Sequence, residues 1–518
     1  MASPASPSGS TPTASTTSTP TSSTASTTAT PPNASAAPTS SNASAAASGS
    51  AASIEALFAA LRANRAAVKR TTAAERIAKL KRLRDVIEAR TPAIREALYK
   101  DFRKSATEVD LTEIYASLVE IKDVIGGLTR WMKPQHVATP MSLLGTKSWV
   151  HHEPRGVVLI IGPWNYPFQL VIAPLVAAIA AGNCVVCKPS ELTRHTSALL
   201  VELLGAVFPA NEVAIVEGGP EETQRLLALP FDHFFFTGST KVGRIVAEAA
   251  AKHLATTTLE LGGKSPAVID DSADLALAAK RLVWGKFVNN GQTCIAPDYV
   301  LVSERKQQAL VDELRRAIAE MYGASEADRK QSPDLCRVIN RRNFDRLQKM
   351  LDDSVSQGAR VEVGGGSDVA ELYIAPTVLS HVPPDAPVMA EEIFGPILPV
   401  LTYRQLDEVA PFITARDKPL ALYVFGEDTG AVDAIIAQTT AGGTCINNAV
   451  IHFANPHLPF GGVGPSGSGN YHGFYGFKAF SHERAVLRQG RVDMLKTVYP
   501  PYGAKVTKMI KWMFKLFA

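Results

Sequence analysis

The chain has 518 residues, enough for about three domains of ordinary size around large buried cores, so a peptide or a single small module is excluded. Lys and Arg number 53 against 49 Asp and Glu, and a formal charge of +4 is too balanced over this length for a polyanion-binding surface, which argues against nucleic acid as a partner. Five scattered cysteines make no disulfide framework, so a reducing compartment, read as the cytoplasm, is expected.

Of the first 52 residues, 47 are Ser, Thr, Ala or Pro, and no charge precedes Glu55. This tract has no apolar periodicity to offset the entropy of ordering and reads as a disordered tail. From Ile54 to about Trp131 apolar residues recur at three and four spacing, which predicts amphipathic helices that cover another layer. Residues 156–187 carry no charge, but Pro, Gly and Asn divide them into a strand at Val157–Ile161, a turn, a buried helix at about Gln169–Ala181 and a strand around Cys184 and Cys187. Each piece is too short to cross a bilayer. The Cys184–Cys187 pair has CxxC spacing within an apolar run and no second ligand pair, so it reads as buried strand and no metal is expected.

Strands and helices then alternate through EVAIVEG, HFFFTG and TTTLELGG, and again from Ser265 through PAVID, YVLVS, ILPVLTY, LALYVFG and TCINN. Nearly continuous apolar strands alternating with helices predict parallel, doubly wound α/β units with a ligand cleft between two of them. The last fifteen residues place Lys505, Lys508, Lys511 and Lys515 on one helical face and Met509, Ile510, Trp512, Met513, Leu516 and Phe517 on the other. Such a basic amphipathic helix suits a membrane interface or a protein surface equally well.

Six segments carry chemistry-bearing residues. In Gly162-Pro163-Trp164-Asn165-Tyr166-Pro167, at the carboxyl end of a parallel strand, Asn165 offers an uncharged donor suited to an oxyanion; taken alone it reads more readily as a structural hydrogen-bonder. Lys188 and Glu191 pair a cation with an acid three residues on, which suits ribose hydroxyls or a plain surface pair. Gly238-Ser239-Thr240-Lys241-Val242-Gly243 joins a strand to a helix in a glycine turn able to face a pyrophosphate, although it is neither GxGxxG nor a Walker loop. Cys294 follows a polar turn, NNGQT, read as flexible and suited to a reactive thiol, and Glu260 ends an apolar strand where a raised pKa suits a general base. In Glu391-Glu392-Ile393-Phe394 either acid suits a second ribose and Phe394 suits a planar ring.

In this order, PWNYP, KPSE, FFTGST, LELGGKSP, NNGQTC and EEIFGP resemble the aldehyde dehydrogenase superfamily over residues 53–495. GQTCIAPDYVL, LPFGGVGPSGSGNYHGFYGFKAFSHER and YPPYGAK look most like its class 3 branch, which includes fatty aldehyde and coniferyl aldehyde dehydrogenases. The resemblance implies a Rossmann-like NAD-binding domain (53–133 and 153–259), an α/β catalytic domain (260–440) and a bridging β element (134–152 and 441–495) that builds homodimers, followed by the basic tail 496–518. It implies Cys294 as nucleophile, Asn165 with the Cys294 amide as oxyanion hole, and Glu260 as the base for hydrolytic water. Lys188, Glu191, Trp164, Gly238, Ser239, Thr240, Gly243, Glu392 and Phe394 would bind the cofactor, NAD first because Glu191 repels a 2′-phosphate, with NADP left open. The implied reaction is oxidation of a medium or long aliphatic, or an aromatic, aldehyde to its acid. Two alternatives stand beside it: a CoA-acylating or reductive relative, which Glu260 speaks against, and a non-catalytic membrane-binding protein on the same fold.

Overall fold

Uninterrupted apolar pentads form the inner strands. Val157–Ile161, Cys184–Lys188 and His233–Thr237 are buried along their whole length, as parallel strands covered on both faces must be. The computed structural model describes residues 51–491, 493, 496 and 499–517. Residues 1–50, and with them nearly all of the expected disordered tail, lie outside the described residues, while Ala51 and Ala52 open the first helix, Ala51–Lys69.

The first sheet has six strands in the order Gly467–Ser468, Thr256–Glu260, His233–Thr237, Val157–Ile161, Cys184–Lys188 and Val213–Ile215, all parallel except the first. The chain winds one way from Val157–Ile161 and returns to its other side at His233–Thr237. The carboxyl ends of these two strands therefore form a topological switch point, where open α/β sheets hold ligands. A second, seven-stranded sheet is centred on Tyr299–Ser303 and Pro266–Ile269 and is parallel except for its edge strand Arg360–Val363.

The uncharged run 156–187 is interior to the protein. All thirteen residues of the helix Gln169–Ala181 are buried, packed under Ala73–Ala89 and Ala116–Trp131, the covering helices expected from the amino-terminal periodicity. No helix among the described residues is long and apolar enough to cross a membrane. A third, antiparallel sheet joins Gln135–Val137, Thr146–Pro154 and Ser481–Gln489. The stretch 441–495 is divided among these three sheets, a fourth being the two-stranded Ser367–Asp368 and Tyr373–Ile374: Gly443–Ile446 extends the seven-stranded sheet, Gly467–Ser468 the six-stranded one, and Ser481–Gln489 alone enters the third.

Candidate active site

Beyond the helix Leu275–Phe287 the chain makes a single 3-10 turn, Val288–Gly291, with Asn289 and Asn290 at φ of 54° and 55°. Asparagine adopts this left-handed region more readily than other residues with a Cβ. The expectation of a flexible polar turn before Cys294 is corrected here: Asn289, Asn290 and Gln292 are buried. Their polarity is largely spent inside the protein. Asn289 Nδ2 donates to the carbonyls of Asn165 (2.9 Å) and Gln292 (3.0 Å), and its backbone N–H donates to Glu108 (2.8 Å). Gln292 Nε2 donates to the carbonyls of Asn289 and Arg337, and its Oε1 accepts from the Ile339 N–H. Asn290 is the exception, its Nδ2 and Oδ1 buried without partners, but the bonds of Asn289 and Gln292 on either side hold the turn in place.

Asn165 is buried, and its Nδ2 donates to the Gln292 carbonyl at 3.0 Å. That bond uses one amide hydrogen and leaves the second for the cleft that Asn165 and Cys294 both line. Glu260 ends the strand Thr256–Glu260 with both carboxylate oxygens buried and without hydrogen-bond partners. Burial holds its pKa well above the usual carboxylate range. Burial also pushes the Cys294 thiol up, and the nearby Glu392 and Glu260 carboxylates add to the effect. Burial thus disfavours the charged form of both groups, which makes Glu260 a stronger base than an exposed carboxylate.

Two cavities meet at these residues. An apolar channel of about 230 Å³, walled by Tyr115, Trp284, Phe453, Phe460 and Tyr471, ends on Cys294, Glu260 and Thr237. A cleft of about 710 Å³ reaches the same three residues from the switch point of the six-stranded sheet. Along the cleft lie Trp164, Lys188, Glu191, Gly238, Ser239, Thr240, Glu392 and Phe394. Lys188 Nζ stands 3.0 Å from Glu191 Oε2. Ser239 caps the helix Thr240–Lys252, its Oγ accepting the Val242 N–H at 3.4 Å, so the amides of that helix start open on the cleft. Phe394, at φ of 51°, meets Trp164 edge to face with centroids 5.2 Å apart. Glu391 and Glu392 both line the cleft; Glu391 is paired there with Arg346 (3.2 Å), whereas Glu392 has a buried, unpartnered Oε1.

Gly243 departs from its expected role. It does not line the cleft; a Cβ there would sit 2.6 Å from Leu261 Cδ2, so this glycine permits close helix-to-strand packing. The glycine that does make room at the cleft is Gly262, where a Cβ would lie 2.3 Å from Glu392 Oε2. The remaining features fit a dinucleotide: a ribose-type Lys/Glu pair, an open helix start for a pyrophosphate, and an orphaned carboxylate oxygen beside an aromatic.

Sequence reasoning missed the layer beneath the site. Lys104 and Glu113 form a fully buried ion pair at 2.9 Å. Glu113 Oε2 accepts the Phe168 and Gln169 N–H groups (3.2 and 2.8 Å), while Lys104 Nζ donates to the Asn165 carbonyl (3.4 Å) and lies 4.2 Å from the centre of the Tyr166 ring. The Tyr166 and Thr293 hydroxyls are 2.8 Å apart, joining the Asn165 turn to the residue before Cys294.

Comparison with known proteins agrees with this architecture. Residues 24–486 match the model of the aldehyde dehydrogenase family. The chain is 47% identical over 436 residues to 4,4'-diaponeurosporen-aldehyde dehydrogenase of Staphylococcus aureus, covering 84% of this chain and 94% of that protein. It is 46% identical to aldehyde dehydrogenase family 3 member B2 of Mus musculus, covering 84% and 90%. Among solved structures, the substrate-bound state of Staphylococcus aureus AldH superposes with a TM-score of 0.85 at 44% identity, covering 89% and 99%. A Mycobacterium tuberculosis aldehyde dehydrogenase complexed with NAD+ superposes with a TM-score of 0.78 at 28% identity, covering 86% and 92%. The chain belongs to the aldehyde dehydrogenase family.

Proposed function

We propose that this aldehyde dehydrogenase oxidises aldehydes bearing long apolar or aromatic groups to carboxylic acids with NAD, using Cys294 as nucleophile. The observation that carries this reading is the meeting of an apolar channel and a dinucleotide-sized cleft at Cys294, Glu260 and Thr237. The Cys294 thiol gives its proton to the Glu260 carboxylate, which passes it to solvent, as Sγ attacks the carbonyl carbon, and the oxygen that gains charge is held by the free Asn165 amide hydrogen and the Cys294 backbone N–H. The nicotinamide, when bound, supplies the hydride acceptor that converts the adduct on Cys294 to a thioester. Glu260 takes the proton of the water that cleaves the thioester, and the acid leaves through the apolar channel. Lys188 and Glu191 hold the adenosine ribose, Gly238, Ser239 and Thr240 the pyrophosphate, and Trp164, Glu392 and Phe394 the nicotinamide side. Glu191 favours NAD over NADP by its charge.

In the same reading, residues 53–133 and 153–259 form the cofactor half and 260–440 the catalytic half, two copies join through the three-stranded sheet, and the terminal helix contacts a membrane surface. The test is NADH formation with a panel of aldehydes. Cys294→Ala should lower kcat by roughly 10³-fold or more. Glu260→Gln should retain a slowed burst of NADH and accumulate an acyl-enzyme visible by intact mass. An undiminished rate in Cys294→Ala would refute the assignment.

A further inference from the structure

The helix Ala116–Trp131 and the turn before it floor two cavities in succession. Leu111, Tyr115 and Val119 line the apolar channel that ends on Cys294. Val119, Lys122, Gly126 and Arg130 follow at helical spacing along one face and line a second cavity, a groove of about 850 Å³. Val119 and Pro456 belong to both, so the groove adjoins the channel. The paired glycines deepen it: a Cβ on Gly126 would meet nothing within 4 Å, and Trp131 lies over Gly127, where a Cβ would come within 2.1 Å of its ring.

The chemistry changes along this path. The channel wall is apolar and aromatic, whereas Lys122, Arg130 and Lys133 ring the groove, all exposed. Among the described residues none of these three cations has an ion-pair partner; the groove's carboxylate, Asp123, instead lies 3.9 Å from His457 Nδ1. From Leu111 to Arg130 the helical path covers roughly 28 Å at 1.5 Å per residue, the length of a long acyl chain and its terminal group.

We infer that the groove is a distal subsite for the substrate: the enzyme takes long-chain aldehydes whose far end carries an anion, a carboxylate or a phosphate, which Lys122, Arg130 and Lys133 hold while the chain fills the channel to Cys294. This rests on the proposed aldehyde oxidation and adds the second pole of the substrate. Exposed cations pair with such an anion through screened attraction, so the effect belongs mainly in KM and weakens with salt.

The test compares, on the full-length enzyme, kcat/KM for a long-chain aldehyde ending in a carboxylate with that for its methyl ester of equal length. The carboxylate should be favoured about tenfold at low salt. In Lys122→Glu/Arg130→Glu/Lys133→Glu the preference should vanish or reverse, while turnover of hexanal stays unchanged. An equal preference in both proteins overturns the subsite. So does a triple variant that loses co-sedimentation with phosphatidylserine vesicles yet keeps the carboxylate preference, because the cations then serve a lipid headgroup surface. Absence of NADH from hexanal in the unmodified enzyme overturns the oxidation reading itself, and the subsite falls with it.

Discussion

Lys286 is completely buried, its Nζ has no hydrogen-bond partner, and it stands behind the cleft within the field of Asp298, Lys264 and Glu392. Burial lowers its pKa to about 8. An unfolded lysine titrates near 10.4. Below pH 8 both states hold the proton and the folded protein carries the cost of a buried ammonium; between about 8 and 10.4 the folded state releases its proton first, so stability rises with pH. Lys286→Met should therefore raise stability at pH 7 by an amount on the order of 3 kcal/mol and abolish the gain between pH 8 and 10. Thermal unfolding of both proteins across that range checks it. A Met variant that melts lower at pH 7 would show that the amine is needed where it stands.

At the scale of elements, the Lys104–Glu113 pair ties three segments together: the turn holding Asn165, the start of the buried helix Gln169–Ala181, and the π-helical turn Asp110–Tyr115. Breaking a buried ion pair leaves the partner charge unpaired, so Lys104→Met should cost about 3–5 kcal/mol in chemical denaturation and lower kcat more than it raises KM, with partial rescue by Lys104→Arg. Full stability in the Met variant would remove the pair from this role. The same region marks where the sequence stopped being readable. Pentads such as VVLII and CVVCK declare buried strands because nothing else suits that composition, and the motif residues at strand ends were legible one by one. Glu113 was not, because a π turn breaks the 3.6-residue period and puts a charge on the inner face of what reads as a solvated helix. Gly243 misled for a related reason: a glycine beside a phosphate-type turn and a glycine under a leucine look alike until the strand carrying Leu261 is in place. The Asn289–Gln292 turn reads as mobile because Asn289 and Gln292 find partners 45 to 181 residues away.

For the whole molecule, the near-neutral charge has a definite location. The helix Ala504–Phe517 carries Lys505, Lys508, Lys511 and Lys515 and no acid, so the formal +4 of the chain equals the charge of this one helix and the rest balances to zero. None of these lysines has an ion-pair partner among the described residues, and Trp512 and Phe514 are 62% and 71% exposed. Each lysine held near an anionic bilayer contributes about 1 kcal/mol, and the aromatic side chains add apolar burial. Four such charges on an otherwise neutral body place the proposed surface contact on this helix. Deleting residues 504–518 should abolish co-sedimentation with phosphatidylserine vesicles and leave hexanal turnover and melting temperature unchanged. In the full chain the binding should weaken steeply as salt rises through the range where the screening length falls below about 10 Å. Vesicle binding that survives the deletion would move the contact to another surface, and binding that ignores salt would make the apolar face its source.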